Sequence, residues 1–386
     1  MAVEFLPGNR LTLLRSGVEY FPALEAAIRG ARREVFLETY IYAGDATGRR
    51  ITHALCEAAT QGAAVHVLID GFGARDMPEE FKRELRQAGA RLLVFRPEIL
   101  RFRFRRDRLR RMHRKIAVAD GRVAFVGGIN IIDDMDTPRQ VPPRYDYAVK
   151  IEGPLVARVQ EAAVRLWNRI ALARLEHGFR ISHPVPAHAA SAGSQRAALV
   201  VRDNLRHRRD IEEAYLEAIG SAQQEIIIAS AYFFPGRRFR RALVRAAARG
   251  VRVVLLLQGR VEYVLLHYAS HALYGALLEA GVEIYEYHKS FMHAKVAVID
   301  GHWATVGSSN IDPFSLMLAR EANVVIEDRR FAAELRGKLR ADMERGARVV
   351  AKTRWFGQPL WRRIPNWIGY GLARFAIGMF GSGGRF

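Results

Sequence analysis

The chain has 386 residues, half of them hydrophobic and 26% charged, a composition that suits a folded protein long enough for two lobes with separate cores. Its net charge of +20 biases the surface toward polyanions, either nucleic acid or anionic phospholipid, without choosing between them. A single cysteine, Cys56, excludes an intramolecular disulfide and a thiolate metal cluster, and its setting in Ala54-Leu55-Cys56-Glu57-Ala58 reads as a small buried helix residue.

The first ten residues carry no basic segment followed by an apolar one, so a secretion leader is not expected. No stretch reaches the ~18–20 continuous apolar residues of a membrane span. The expected location is the cytoplasm, free or on a membrane face.

Residues 34–42, Glu-Val-Phe-Leu-Glu-Thr-Tyr-Ile-Tyr, predict a buried strand, and residues 225–234 repeat the pattern. After each comes an Ala- and Arg-rich helical pattern that stops at a glycine, Gly62 in one case and Gly250 in the other. Further strands are predicted over 64–70 and 251–257. The chain is therefore an internal duplication of β-α-β units. Residues 182–196 are rich in Ala, Ser and Pro and have the composition of a linker. This divides the chain into a lobe over 1–181, the linker, a lobe over 197–350 and a tail over 351–386. His183 and His188 are read as solvated linker histidines without a role.

The duplication is clearest in Met112-His113-Arg114-Lys115 through Asp120-Gly121, which returns as Met292-His293-Ala294-Lys295 through Asp300-Gly301. On a strand, residues two apart share a face, so His113 projects with Lys115 and His293 with Lys295. Asp120-Gly121 and Asp300-Gly301 are hairpin-turn signals, which gives these aspartates a structural reading even though they belong to the motif. The returning strands, 123–126 and 303–306, would bring Asn130 and Asn310 back beside the histidines.

Phosphodiester exchange needs an in-line nucleophile on one side of phosphorus and a proton donor for the leaving alkoxide on the other. Two histidines from facing lobes fill those places. Two lysines and two asparagines would stabilise the charge on the non-bridging oxygens, work that elsewhere falls to a metal. The expected chemistry is a phosphohistidine intermediate with no metal and no cofactor. A zinc site fails on ligand count, and the acidic run Asp133-Asp134-Met135-Asp136 reads as a solvated loop.

Residues 100–111 hold seven arginines interleaved with apolar side chains and lead into the first motif. Phe102 and Phe104 with these arginines suit a lipid headgroup layer, and equally a single-stranded nucleic acid. The tail, crowded with Trp355, Trp361, Trp367 and Tyr370, favours a membrane interface. Pro359, Pro365 and four glycines within 357–378 are expected to break any long helix there.

The paired His-x-Lys-x(4)-Asp segments resemble the phospholipase D superfamily, and both copies fit its signature without a gap. Gly8-Asn9-Arg10-Leu11 and Glu38-Thr39-Tyr40-Ile41-Tyr42 make the chain most similar to the short bacterial cardiolipin synthases of the B type. The resemblance covers nearly the whole chain. It implies an α/β fold of two pseudo-symmetric β-α-β lobes with the active site at their interface. It implies a carboxylate some thirty residues past each histidine that orients it, Asp146 for His113 and Glu321 for His293. It implies that His113 is the nucleophile and His293 the acid and then base, in a catalytic set of His113, Lys115, Asp120, His293, Lys295 and Asp300. Ser308 stands where the first copy has Gly128, so a hydroxyl contact to phosphate is expected once only, alongside Asn130 and Asn310.

The expected activity is phosphatidyl transfer between two phosphatidylglycerols, with phosphatidylethanolamine as another donor. The protein would act from the cytoplasmic side of a bacterial inner membrane, held to its anionic surface, with no obligate nucleic acid. The alternatives are a phospholipase D hydrolase, a metal-independent nuclease, and an inactive lipid- or nucleic-acid-binding module, the last disfavoured by two intact motifs.

Overall fold

The computed structural model describes residues 3–96, 111–137, 141–203, 207–261, 263–312, 319–359, 361 and 363–380, the last five for their backbone only. The arginine-rich stretch 100–110 lies outside them.

The first half runs β1 (Leu6–Arg15), α1 (Ser16–Gly30), β2 (Glu34–Thr39), α2 (Ala46–Thr60), β3 (Ala64–Asp70), α3 (Glu79–Gln87), β4 (Arg91–Phe95), β5 (Ile116–Ala119), β6 (Val123–Gly127), β7 (Tyr147–Glu152) and α4 (Leu155–Ala173). The second half repeats it as β8 (Gln195–Arg202), α5 (Asp210–Ser221), β9 (Glu225–Ser230), α6 (Arg237–Ala248), β10 (Arg252–Gln258), α7 (Val264–Glu279), β11 (Glu283–Tyr287), β12 (Lys295–Ile299), β13 (Trp303–Gly307), β14 (Glu321–Glu327) and α8 (Arg329–Gly346). The chain continues as β15 (Ala347–Val349), α9 (Lys352–Phe356) and α10 (Ile364–Phe380).

Hydrogen bonding links the strands in the order β15-β11-β10-β9-β12-β13-β14-β8-β1-β7-β6-β5-β2-β3-β4. Apart from β15 at one edge, the order reads outward from the β8–β1 junction as two matched halves. Strands β2, β3 and β4 are parallel, as are β9, β10 and β11, and β5 and β12 each join their set antiparallel. Strands β2 and β9 are buried along their whole length, and the reason is coverage on both sides. Helices α1 and α2 cover one face of the first half, and α5 and α6 one face of the second. The opposite faces meet each other: Val126, Tyr145 and Val149 share a core with Val296, Val306 and Val324.

Local chemistry sets the boundaries. Asp45 accepts the Gly48 N–H at the start of α2, and Asp328 accepts the Phe331 N–H at the start of α8. Gly62 and Gly250 follow α2 and α6 with φ of 97° and 87°, a left-handed region that favours glycine.

Two expectations fail. The linker ends earlier than 196, because Gln195 already opens β8, where its side-chain oxygen accepts the Leu11 N–H at 2.6 Å. It is also not free chain, since the His188 N–H donates to Gly121 and the Gln160 amide to Val185. The tail, expected to contain no long helix, forms the 17-residue α10. Pro365 sits in its first turn, where a missing N–H costs nothing. Among the described residues, no helix is long and apolar enough to cross a membrane.

Candidate active site

Each motif histidine precedes its strand, because β5 starts at Ile116 and β12 at Lys295. Short parallel bridges hold the preceding residues, Met112 to Arg320 and Met292 to Tyr145. The His113 N–H donates to Arg320 O at 2.9 Å, and the His293 N–H to Tyr145 O at 2.7 Å. Each histidine is thus threaded beside the segment that carries the carboxylate of the other half.

The carboxylates consequently pair crosswise. His113 Nδ1 lies 3.0 and 3.1 Å from the two oxygens of Glu321, and His293 Nδ1 lies 2.7 Å from Asp146 Oδ2. This corrects the expectation that Asp146 serves His113 and Glu321 serves His293. Sequence spacing placed each carboxylate behind its own histidine, whereas the inter-lobe bridges decide the partner. With carboxylate acceptors, each Nδ1 carries the proton and the opposite ring nitrogen keeps its lone pair. Both histidines line one cavity of about 130 Å³, together with Asn130, Asp146, Tyr40 and Arg144. The cavity opens at the ends of β2 and β9, the usual place for a site on such sheets.

Ser308 is placed differently from expectation. Its hydroxyl donates to Glu321 Oε2 at 2.5 Å and accepts the Ala322 N–H at 3.0 Å, and the residue is buried. It supports the carboxylate and is not left for phosphate. At the matching position a Cβ on Gly128 would lie 2.3 Å from Asp146 Oδ1, so this position has no room for a side chain.

Asp120 and Asp300 stand at the far ends of their hairpins, away from the cavity. Each begins a turn in which it and the following glycine have positive φ, 52° and 63° in the first copy and 49° and 63° in the second. Asp120 accepts the N–H groups of Arg32, Arg33 and Glu34, and Asp300 those of Gln223, Gln224 and Glu225. Against the upward push of burial, those bonds hold both carboxyls below their usual range. The aspartates anchor the loop before β2 and β9, and the geometry gives them no contact with a substrate.

Residues 24–167 and 215–343 match the family described as "Cardiolipin synthase, PLD-like domain". The chain is 40% identical over 363 residues to cardiolipin synthase B of Shigella flexneri and, equally, of Escherichia coli K12, covering 92% of this chain and 85% of each relative. It belongs to the phospholipase D-like cardiolipin synthase family. The major cardiolipin synthase of Bacillus subtilis is 29% identical over 93% of this chain and 74% of its own. In fold it is similar to phosphatidylserine synthase of Haemophilus influenzae, with a TM-score of 0.71, 14% identity, and coverage of 97% and 94% of the two chains.

Two buried lysines stand behind the histidines of this family member. Lys115 Nζ donates to His113 O at 2.7 Å, and Lys295 Nζ donates to His293 O while standing 3.7 Å from Asp146 Oδ2. Burial, with Lys295 nearby and against the pull of Glu321, pushes the Lys115 ammonium down to about 7. Burial and Lys295, opposed by Asp146, push His293 down to about 3. His113 is lowered too, by burial first, with Glu321 opposing. Asp146 is held low by Lys295 and His293 against burial. In the empty site, burial therefore favours the neutral form of both imidazoles.

Asn130 lines the cavity with its Oδ1 accepting the Ile41 N–H at 3.1 Å, while Asn310 is buried at the matching turn. Several site residues escaped sequence reading. Arg144 lines the cavity over the Phe291 ring, and its Nε is buried without a hydrogen-bond partner. Tyr40 packs edge-on to His113 at 4.9 Å, and Tyr232 and Tyr263 form another wall. The available signal was their position: Tyr40 directly follows the buried parallel strand β2, and Tyr232 stands two residues past β9. The acidic run 133–136 is not a solvated loop throughout, because Asp134 is buried and accepts the Gly17 N–H at 2.8 Å.

Proposed function

We propose that the protein makes cardiolipin from two phosphatidylglycerols through a phosphohistidine. The observation that carries this is the pair of histidines, one from each half, with each Nδ1 tied to a buried carboxylate and both rings on one cavity. The name of its 40%-identical relatives supplies the substrate class.

His113 Nε2 attacks phosphorus of the first phosphatidylglycerol and forms a P–N bond. The P–O bond to glycerol breaks on the opposite side, and His293 Nε2 gives the leaving oxygen its proton. His293 then takes the proton of a primary hydroxyl on the second phosphatidylglycerol. That oxygen attacks phosphorus, the P–N bond breaks, and cardiolipin leaves with His113 restored. The anionic phosphodiester offsets the burial and the cations that keep His293 neutral, so substrate binding itself loads the acid. Lys115, Lys295, Asn130, Asn310 and Arg144 stabilise the charge on the non-bridging oxygens. His113 is assigned as nucleophile from the resemblance of its motif, and Glu321, which places both oxygens on its Nδ1 and accepts from Ser308, would orient it.

Phosphatidylethanolamine offers the same phosphodiester and is a second donor. The net charge of +20 suits a peripheral enzyme on an anionic surface, and the cytoplasmic face of a bacterial inner membrane is the proposed location. Water in place of the second lipid would give phosphatidate and glycerol. The test is incubation with phosphatidylglycerol vesicles and, separately, with DNA, both in EDTA, followed by separation of products. Cardiolipin and glycerol are expected. DNA cleavage without either product overturns the reading in favour of a nuclease, and phosphatidate with glycerol but without cardiolipin makes the protein a hydrolase.

A further inference from the structure

The helix α10 is amphipathic, but its apolar side points outward. Its inward residues are Asn366, Gly369, Tyr370 and Ala373, which fall on one side of a helix of about 3.6 residues per turn. They pack on α7 and on Phe234, whose ring meets Tyr370 edge-on at 5.6 Å. Gly369 permits the approach, since a Cβ there would stand 2.8 Å from Tyr268 Cβ. On the opposite side are Ile364, Trp367, Ile368, Leu372 and Phe375. All five are exposed, Trp367 by 68% and Phe375 by 66%. Arg363 and Arg374 share the flank between the two sides, about three turns apart. Next to the contact with Gly369, the first turns of α7 add exposed Val264, Leu265 and Tyr268.

Scattered exposed apolar residues need no explanation, whereas a contiguous surface of this kind marks a binding face. Its continuity with the site identifies the occupant. Tyr263, just before α7, is 56% exposed, lines the catalytic cavity, and meets Tyr232 of the cavity wall at 5.4 Å. The apolar surface thus runs into the wall of the catalytic cavity.

We propose that the outer face of α7 and α10 seats in the headgroup layer of an anionic bilayer, so that lipid reaches the cavity past Tyr263. Tryptophan and tyrosine with flanking arginines are the side chains that such a layer holds, and at 17 residues α10 lies along the surface. The inference rests on the lipid-substrate reading above and names the surface that serves it.

The test compares wild type with the double variant Trp367→Ser/Phe375→Ser, and with Val18→Ser as a control at an exposed site on α1 in the other half. Binding is read by co-sedimentation with phosphatidylcholine vesicles containing phosphatidylglycerol. Activity is read on those vesicles and on a short-chain phosphatidylglycerol kept monomeric. The double variant is expected to bind vesicles about tenfold more weakly or worse and to lose vesicle activity in step. Its thermal unfolding and its turnover of monomeric lipid should stay within about twofold of wild type, as should every readout of Val18→Ser. Unchanged vesicle binding in a folded double variant overturns the proposal. So does a wild-type dimer that the two substitutions dissociate without altering vesicle binding, which would assign the face to a second copy of the chain. If wild type binds vesicles through these residues but converts neither lipid, the substrate reading fails and the docking face stands.

Discussion

The two halves solve one problem in different ways. In each, a carboxylate must reach across the interface and hold the other half's histidine. Asp146 has the shorter side chain, and its carboxylate settles over Gly128, where a Cβ would collide with it. Glu321 has one more methylene, and Ser308 donates a hydrogen bond to its carboxylate. The pairs Asp–Gly and Glu–Ser are each self-consistent, and mixing them would not be. The consequence is a site of near-symmetric topology with unequal histidines. His113 is gripped by two oxygens, while His293 meets one.

Removing the histidines tests that inequality most severely. His113→Ala and His293→Ala should each lower cardiolipin formation by about 10⁴-fold or more. The informative readout is the covalent adduct after mixing with phosphatidyl-labelled lipid. His293→Ala should still form it slowly and fail to discharge it, whereas His113→Ala should form none. The reverse pattern would exchange the two roles.

The carboxylates come next. Glu321→Gln and Asp146→Asn keep shape but remove the charge that orients each Nδ1 proton, and each should cost about 10²–10⁴-fold in turnover. The crosswise geometry predicts which step suffers. Glu321→Gln should slow adduct formation through His113, and Asp146→Asn should slow both proton transfers through His293. Adduct kinetics that follow the same-half pairing would break the comparison drawn above.

A milder test lies beneath the carboxylates. Gly128→Ser places a side chain where Asp146 already is and should displace it, costing about 10–100-fold. Ser308→Ala removes one hydrogen bond to a buried charge, worth about 1.5–3 kcal/mol, and should cost about tenfold. Finding Ser308→Ala the more damaging would mean that the hydroxyl serves the substrate after all.

Much of this arrangement is legible in the sequence, and what is not has a common cause. The duplication, the hairpin turns at Asp120 and Asp300, and the glycine ends of α2 and α6 are local signals carried by a few adjacent residues. The partner of each histidine is not local, because it depends on bridges between Met112 and Arg320 and between Tyr145 and Met292, more than 140 residues apart in sequence. Ser308 was misread for the same reason: its role is set by Glu321, which a sequence places only as a neighbour along the chain. The α10 helix is hidden because its proline and glycines look like helix breakers. Pro365 falls in the first turn, and Gly369 buys close packing on α7.

The smallest expected effect concerns the lysines and carries a sign that can be checked. Lys295 has Asp146 within 3.7 Å, whereas burial dominates at Lys115 and pushes its ammonium down to about 7. In an unfolded chain a lysine titrates near ~10.4. Between about pH 7 and pH 10.4 the unfolded chain therefore holds a proton that the folded chain lacks, so this group makes stability rise with pH across that window. Below pH 7 both states are charged, and the full cost of burying the ammonium is present. Lys115→Met should accordingly raise Tm at pH 6 by about 2–4 °C, the shift that ~1 kcal/mol gives in domains of ~150–250 residues. The gain should shrink as pH rises to 9, because wild type is then relieved of its charge. A phosphate analogue in the cavity reverses the balance by pairing the ammonium, so inorganic phosphate should raise the Tm of wild type more than that of Lys115→Met. A gain that is flat with pH, or that grows, would mean the ammonium is already paired in the empty site, and the two lysines would then be equivalent.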